Sequence, residues 1–319
     1  MTKAEKTASV TIESVDAQQN KVLRKLRSVV QLLMVSAKQI STSLKQHPLI
    51  KNLKHNLSGN VDGPVFIVGS GRSGTSVLLG ALHHTLDWPA HGEGHFHVLS
   101  EKIIETLNVY YRQNLTRRRN PKHLIHHIPL EYVRQKSIEM IRDIYHETYG
   151  TPRFVDKTPG PRAQRSLLHM QKVFPNMRII YAKRRGIEVV RSACLKFPET
   201  NFQTHCNIWQ HIMNNWLDVR EKLTVPYLEI DQYIMSNKPD EVAKQLKSFL
   251  QLNDKQTLFL STYLKEKRPQ SSGNLNSRDV GLETVGWSEN QIAAFRRACG
   301  SVMVKFGWSE DEKHFLFSD

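Results

Sequence analysis

Residues 66–76 read Phe-Ile-Val-Gly-Ser-Gly-Arg-Ser-Gly-Thr-Ser, and no other stretch limits the fold so tightly. The apolar run Val65 to Val68 reads as a buried strand. After the glycine-rich turn, Val77-Leu78-Leu79-Gly80-Ala81-Leu82 reads as a helix. Strand, loop and helix N-terminus in that order form a cradle for an anion. The backbone N–H groups of the loop converge, and the helix dipole adds positive potential.

The spacing Gly69-x-x-x-x-Gly74 fits a nucleotide P-loop. Position 75, however, is Thr where that motif carries the Lys that reaches the β- and γ-phosphates. The nearby cation is Arg72, inside the turn. The loop therefore suits phosphate without the usual equipment for triphosphate cleavage.

From residue 64 onward, strand and helix signals alternate. Arg153-Phe154-Val155 reads as a second strand, followed by Asp156-Lys157-Thr158-Pro159. Arg178-Ile179-Ile180-Tyr181-Ala182 reads as a third and Pro226-Tyr227-Leu228-Glu229-Ile230 as a fourth. Helices are expected over 74–86, much of 97–150, 162–173, from about 187, over 203–222 and over 239–251. Such alternation implies an α/β domain with a parallel sheet wrapped by helices. Ligands in these sheets sit at the carboxyl ends of the strands, so the chemistry is expected just after Val68, Val155 and Ala182.

Ahead of that domain, residues 1–20 are polar and read as disordered. Residues 21–60 read as an amphipathic helix and a linker. The helical seam is Leu23, Leu26, Val30, Leu33, Ala37, Ile40 and Leu44. Packing on the main domain is its ordinary use, with homodimerisation or an anionic membrane surface as the other options. The 319 residues carry 45 Lys and Arg against 30 Asp and Glu, a net charge of +15 that favours anionic partners. Three cysteines, Cys194, Cys206 and Cys299, make neither a metal spacing nor a disulfide framework. No transmembrane span or secretory signal is visible, which leads us to expect a cytoplasmic protein, peripheral to a membrane at most.

A second anion grip is legible after the third strand. Arg184 stands at the strand's end and Ser192 about two helical turns later. A guanidinium fork and a hydroxyl converging there can hold one phosphate. Cradle and clamp together imply a ligand with two separated phosphate groups.

That pairing resembles the PAPS-dependent sulfotransferases, whose donor is 3′-phosphoadenosine 5′-phosphosulfate (PAPS). Arg72-Ser73-Gly74-Thr75-Ser76 matches the family's 5′-phosphosulfate loop, and Arg184 with Ser192 matches its 3′-phosphate pair. The resemblance spans roughly residues 64–250 and is closest to the Golgi and bacterial types. It implies a three-layer α/β sandwich with a central parallel sheet and a P-loop-like 5′-phosphosulfate-binding loop, occupying 61–319. Gly71, Arg72, Ser73, Gly74, Thr75, Ser76, Arg184 and Ser192 would bind PAPS, and adenosine 3′,5′-bisphosphate would be the product. Glu93, in His91-Gly92-Glu93-Gly94, falls near the position of the family's catalytic base. Lys157 stands where the family has a Lys after the second strand. Three positions depart from the pattern. Arg185-Gly186 replaces the common Asn-Pro, and Glu188 replaces the common Asp.

The implied reaction is in-line sulfuryl transfer to a hydroxyl. Glu93 serves as base, and Arg72 and Lys157 stabilise developing charge. Two fixed cations make a metal unnecessary in that scheme. The acceptor classes are carbohydrate, glycolipid, tyrosine or small alcohol, with sugar and glycolipid acceptors, an anionic carbohydrate among them, slightly favoured. A P-loop-type nucleotide kinase is one rival. A His/Glu metal hydrolase built on His91, Glu93, His95 and His97 is another, although Gly92 and Gly94 favour a loop there. A nucleic-acid binder lacks any supporting signature.

Overall fold

The structure is a computed structural model that describes residues 61–267 and 280–316. The expectations for 1–20 and 21–60, including the leucine seam, lie outside the described residues. Four strands form one parallel sheet in the order β2-β1-β3-β4. They are β1 (Val65–Gly69), β2 (Val155–Lys157), β3 (Arg178–Lys183) and β4 (Tyr227–Asp231). β1 is buried along its whole length, as its unbroken apolar run requires of a central parallel strand. The chain goes from β1 to β2 on one side, then returns to β3 on the other. That reversal opens a crevice beyond the carboxyl ends of β1 and β3.

Twelve helices surround the sheet among the described residues. They are α1 (Thr75–Leu86), α2 (Val98–Gln113), α3 (Leu115–Arg118), α4 (Leu124–His127), α5 (Leu130–Tyr149) and α6 (Pro161–Val173). They continue as α7 (Gly186–Lys196), α8 (Phe202–Arg220), α9 (Gln232–Asn237), α10 (Pro239–Leu250), α11 (Asp254–Glu266) and α12 (Glu289–Lys305). Pro161 and Pro239 open α6 and α10, where a missing N–H costs nothing. Reciprocal capping boxes, Asn253 with Gln256 and Ser288 with Gln291, open α11 and α12. No helix among the described residues is long and apolar enough to cross a membrane.

The strand side chains alternate between two cores. Phe66, Val68, Ile179 and Tyr181 face Leu167, Trp209, Trp216 and Phe295. Val65, Ile67, Ile180 and Ala182 face Leu78, Leu82, Leu246 and Leu260. A two-residue period dividing between two helical layers gives the three-layer α/β sandwich expected from the sequence. Each fully buried Leu, Ile or Phe contributes about 1.5–3 kcal/mol relative to exposure. Trp209 and Trp216 are core residues as their spacing suggests, with Tyr181 stacked on Trp216 at 4.1 Å.

One strand is displaced from its expected position. The second strand is Val155–Lys157 rather than Arg153–Val155. Arg153 is exposed and pairs with Asp62, while Phe154 stacks on Tyr149 at 4.2 Å. Asp156 and Lys157 continue the strand because tertiary partners satisfy their polar ends. Local β-propensity, which disfavours both residue types, carries no information about those partners.

Candidate active site

The cradle begins where β1 ends. Ser70 and Ser73 are buried and their hydroxyls bond to each other. Arg72 and Gly74 both take left-handed conformations, with φ of 69° and 82°. Gly74 is the N-cap of α1, and no side chain caps the helix there. A Cβ at Gly74 would meet only the flexible end of Met235, at 2.5 Å, so it is the left-handed φ that favours glycine there. The amide groups of the first helical turn are thus left to the crevice.

Arg72 carries a left-handed backbone at a cost of roughly 1–2 kcal/mol. Two contacts hold it. Arg184 Nη1 donates to the Arg72 carbonyl at 2.9 Å, and Arg72 Nε donates to Ser192 Oγ at 2.9 Å. The loop after β1, the residue after β3 and the second turn of α7 therefore meet at one place, through Arg72. Burial lowers the proton affinity of the Arg184 guanidinium from its ordinary value. Its buried Nε has no hydrogen-bond partner among the described residues. An orphaned cationic donor beside a helix N-terminus fits an anion.

The second cluster lies at the end of β2. Lys157 Nζ is almost wholly buried, donates to Glu93 Oε1 at 2.8 Å, and reaches Ser76 Oγ at 3.3 Å. The other carboxylate oxygen of Glu93 lies 2.9 Å from His95 Nε2. Its hydrogen bond from Lys157 holds the Glu93 carboxyl below the ordinary value, against a smaller opposing effect of burial. Glu93 is therefore ionised throughout the neutral range. The residues singled out in the sequence thus fall into two touching groups, Arg72–Arg184–Ser192 and Lys157–Glu93–Ser76, with the turn Gly71 to Thr75 between them.

A buried polar bed beneath the Glu93 loop is not evident from the sequence. Asp156 accepts from Tyr145 Oη at 3.2 Å and from Thr158 Oγ1 at 3.3 Å. Thr158 Oγ1 in turn accepts from the His95 amide at 2.9 Å, and the Gly94 amide donates to the Lys157 carbonyl at 3.1 Å. Gly94 presses so closely on the Asp156 carboxylate that a Cβ there would overlap it. His97 is buried with its Nδ1 2.7 Å from Ser166 Oγ, and burial pushes its proton affinity down to about 3. The neutral ring thus packs inside the protein. The only sequence signal for this bed is Asp156 directly before Lys157, and it does not reveal which way the carboxylate points.

Burial pushes the Asp156 carboxyl up to about 6 from its ordinary 3.8. The ionised form therefore costs stability in the folded state. The protein is relieved of this cost below about pH 4 and bears all of it above about pH 6, a difference of about 3 kcal/mol. Asp156→Asn is expected to remove this dependence. The stability difference between variant and wild type, followed by denaturant titration, should shift by about that amount between pH 4 and pH 7. A constant difference would show that Asp156 does not titrate there.

The alternating His91, Glu93, His95 and His97 do not form one ligand face. His95 turns to Glu93 with a left-handed φ of 52°, His91 lies beside the Tyr149 ring, and His97 points into the core. Among the described residues no three His, Cys, Asp or Glu side chains converge as a metal site. The segment is the loop that its glycines suggest.

Solved structures to which the chain is similar include the sulfotransferase domain of the Synechococcus PCC 7002 olefin synthase. It is 17% identical with a TM-score of 0.45, covering 80% of this chain and 98% of that one. A sulfotransferase of Mycobacterium avium is 16% identical with a TM-score of 0.44, covering 86% of this chain and 82% of its own. One from Mycobacterium tuberculosis H37Rv is 13% identical with a TM-score of 0.40, covering 80% of each chain. No curated protein matches the chain. The model of the sulfotransferase family matches residues 64–256, which include the cradle, Glu93, Lys157, Arg184 and Ser192. The chain belongs to the sulfotransferase family.

Proposed function

We propose that the protein transfers a sulfuryl group from PAPS to a hydroxyl of a carbohydrate, glycolipid, tyrosine or small alcohol. One observation carries this reading. The uncapped cradle after β1 and the Arg184/Ser192 pair after β3 meet through Arg72, and Arg184 keeps a buried donor without a partner. That arrangement suits a ligand with two phosphate positions. Bound there, PAPS supplies the sulfuryl group and a phosphate leaving group. The backbone amides of Gly71, Ser73 and Gly74, with the hydroxyls of Thr75 and Ser76, hold the 5′ end, while Arg184 and Ser192 hold the 3′-phosphate. Arg72 bridges the two.

Glu93 accepts the proton of the acceptor hydroxyl as the new oxygen–sulfur bond forms and the bond to the leaving phosphate breaks. Lys157 answers the negative charge that grows on the leaving oxygen. As Lys157 turns to that charge its hold on Glu93 weakens, and the carboxylate regains basicity when it takes the proton. One side chain thus couples the base to the leaving group.

A labelled-donor assay over carbohydrate, peptide and small-alcohol acceptors tests the reaction. A thermal-shift titration with adenosine 3′,5′-bisphosphate against ATP tests the nucleotide site. Saturation at about a hundredfold above Kd should give about 2.7 kcal/mol of stabilisation. Indifference to the bisphosphate would refute the reading. Arg184→Ala is expected to weaken the bisphosphate by about 10- to 100-fold while altering kcat less, because a charge-assisted contact to a non-reacting phosphate is lost. Glu93→Gln is expected to keep nucleotide affinity and lose turnover by about 100-fold or more. Normal turnover in that variant would move the base to His95 or His91.

A further inference from the structure

The helical insertion between α2 and α5 ends in a tip with unusual composition. From Thr106 to Leu130 there is no Asp or Glu, while Arg112, Arg117, Arg118, Arg119 and Lys122 fall within the stretch. The tip is ordered by its own polar contacts. Tyr111 is buried and donates its hydroxyl to the Ile128 carbonyl at 3.0 Å, and the Arg118 guanidinium lies over the Tyr111 ring at 5.1 Å. His126 and His127 bond to the carbonyls of Arg118 and Pro121 at 2.7 and 2.9 Å, tying α4 back to α3. What remains outward is both basic and apolar. Arg112, Arg117, Arg119 and Lys122 are exposed, and so are Leu124 at 74%, Tyr110 at 54% and Leu115 at 48%.

We propose that this tip docks on an anionic lipid bilayer. Fixed positive charge without a single intervening carboxylate calls for a negatively charged partner. The other basic stretch of the chain cannot supply it. Residues 17–61 also contain no Asp or Glu and carry eight Lys and Arg, so that segment offers no opposite charge, and neither does a second copy of the tip. Exposed leucines and a tyrosine among arginines distinguish a bilayer from a soluble polyanion. A sulfated or carboxylated sugar offers nothing for Leu115 and Leu124 to enter, whereas the headgroup–acyl boundary takes aliphatic and aromatic side chains while arginines stay at the phosphates.

Sedimentation with vesicles tests the proposal, using the full chain. Phosphatidylcholine vesicles containing about one-third phosphatidylserine should bind, and pure phosphatidylcholine vesicles should bind far less. Arg117→Ala with Arg119→Ala is expected to lower the partition coefficient about thirtyfold, and less at high salt. Leu115→Ser with Leu124→Ser is expected to lower it about tenfold. Both pairs should stay close to the wild-type melting temperature, because all four side chains are exposed and the hydrogen bond lost is that from Arg117 to Asn114. Vesicle binding that ignores the tip variants would overturn the proposal. So would binding that responds to the arginines but not to the leucines. Tight binding to heparin without binding to vesicles would replace the bilayer with a polyanionic sugar.

Discussion

Replacing Lys157 by Ala should reduce kcat by about 10²–10³-fold with the acceptor that the panel identifies, a loss comparable to removing one oxyanion-hole donor. A second consequence is specific to this structure. The Lys157 hydrogen bond is the first cause of the lowered Glu93 pKa. Without it, the Glu93 carboxyl moves back up toward its ordinary value. A base works only when deprotonated, so the acid limb of the pH–rate profile should shift to higher pH in Lys157→Ala. A side chain that merely supported the fold would lower the rate at every pH and leave the limb in place. Lys157→Arg, which keeps charge on a different shape, should retain the low limb but not the full rate. A kcat within tenfold of wild type would remove Lys157 from the chemistry.

The largest expected effect on stability belongs to Arg185. Its guanidinium is fully buried and bonded to Glu188, with Nη2 2.5 Å from Oε1 and Nε 3.0 Å from the same oxygen. It also donates to the carbonyls of Val280, Ser309 and Asp311 at 2.5, 3.1 and 2.7 Å. One side chain thus anchors the start of α7 to the segments on both sides of α12. Arg185→Leu would strand the buried Glu188 carboxylate and leave three carbonyls without this donor. The expected cost is about 3–5 kcal/mol, which lowers Tm by on the order of 10 °C in a domain of this size. Arg185→Leu with Glu188→Leu should recover much of the loss, since no unpaired charge then remains. A single variant as stable as wild type would mean that water replaces the guanidinium.

Arg185 and Glu188 are also two of the three positions at which the sequence departs from the pattern it otherwise resembles. Read singly, each looks like a weakening of the match. In three dimensions they form one ion pair three residues apart on the first turn of α7, with both partners buried. Neighbouring spacing suggests that they can touch. It does not show that the pair is buried, or that its remaining donors reach residues about a hundred positions away. The pair's role depends on burial and distant carbonyls, which are properties of the assembled molecule.

The sequence by itself determined the sandwich and marked two candidate anion grips, because both readings rest on local rules. An unbroken apolar run marks a buried parallel strand, a glycine-rich turn before a helix marks a candidate cradle, and Arg184 and Ser192 stand a short fixed distance apart in the chain. It also identified Glu93 and Lys157 as candidates. Only the tertiary structure brought Arg72 against Ser192, Lys157 against Glu93, and Asp156 beneath the loop that carries Glu93. These contacts join residues far apart in the chain. Their geometry and proton affinities follow from which side chains exclude water together, and a linear pattern does not record that.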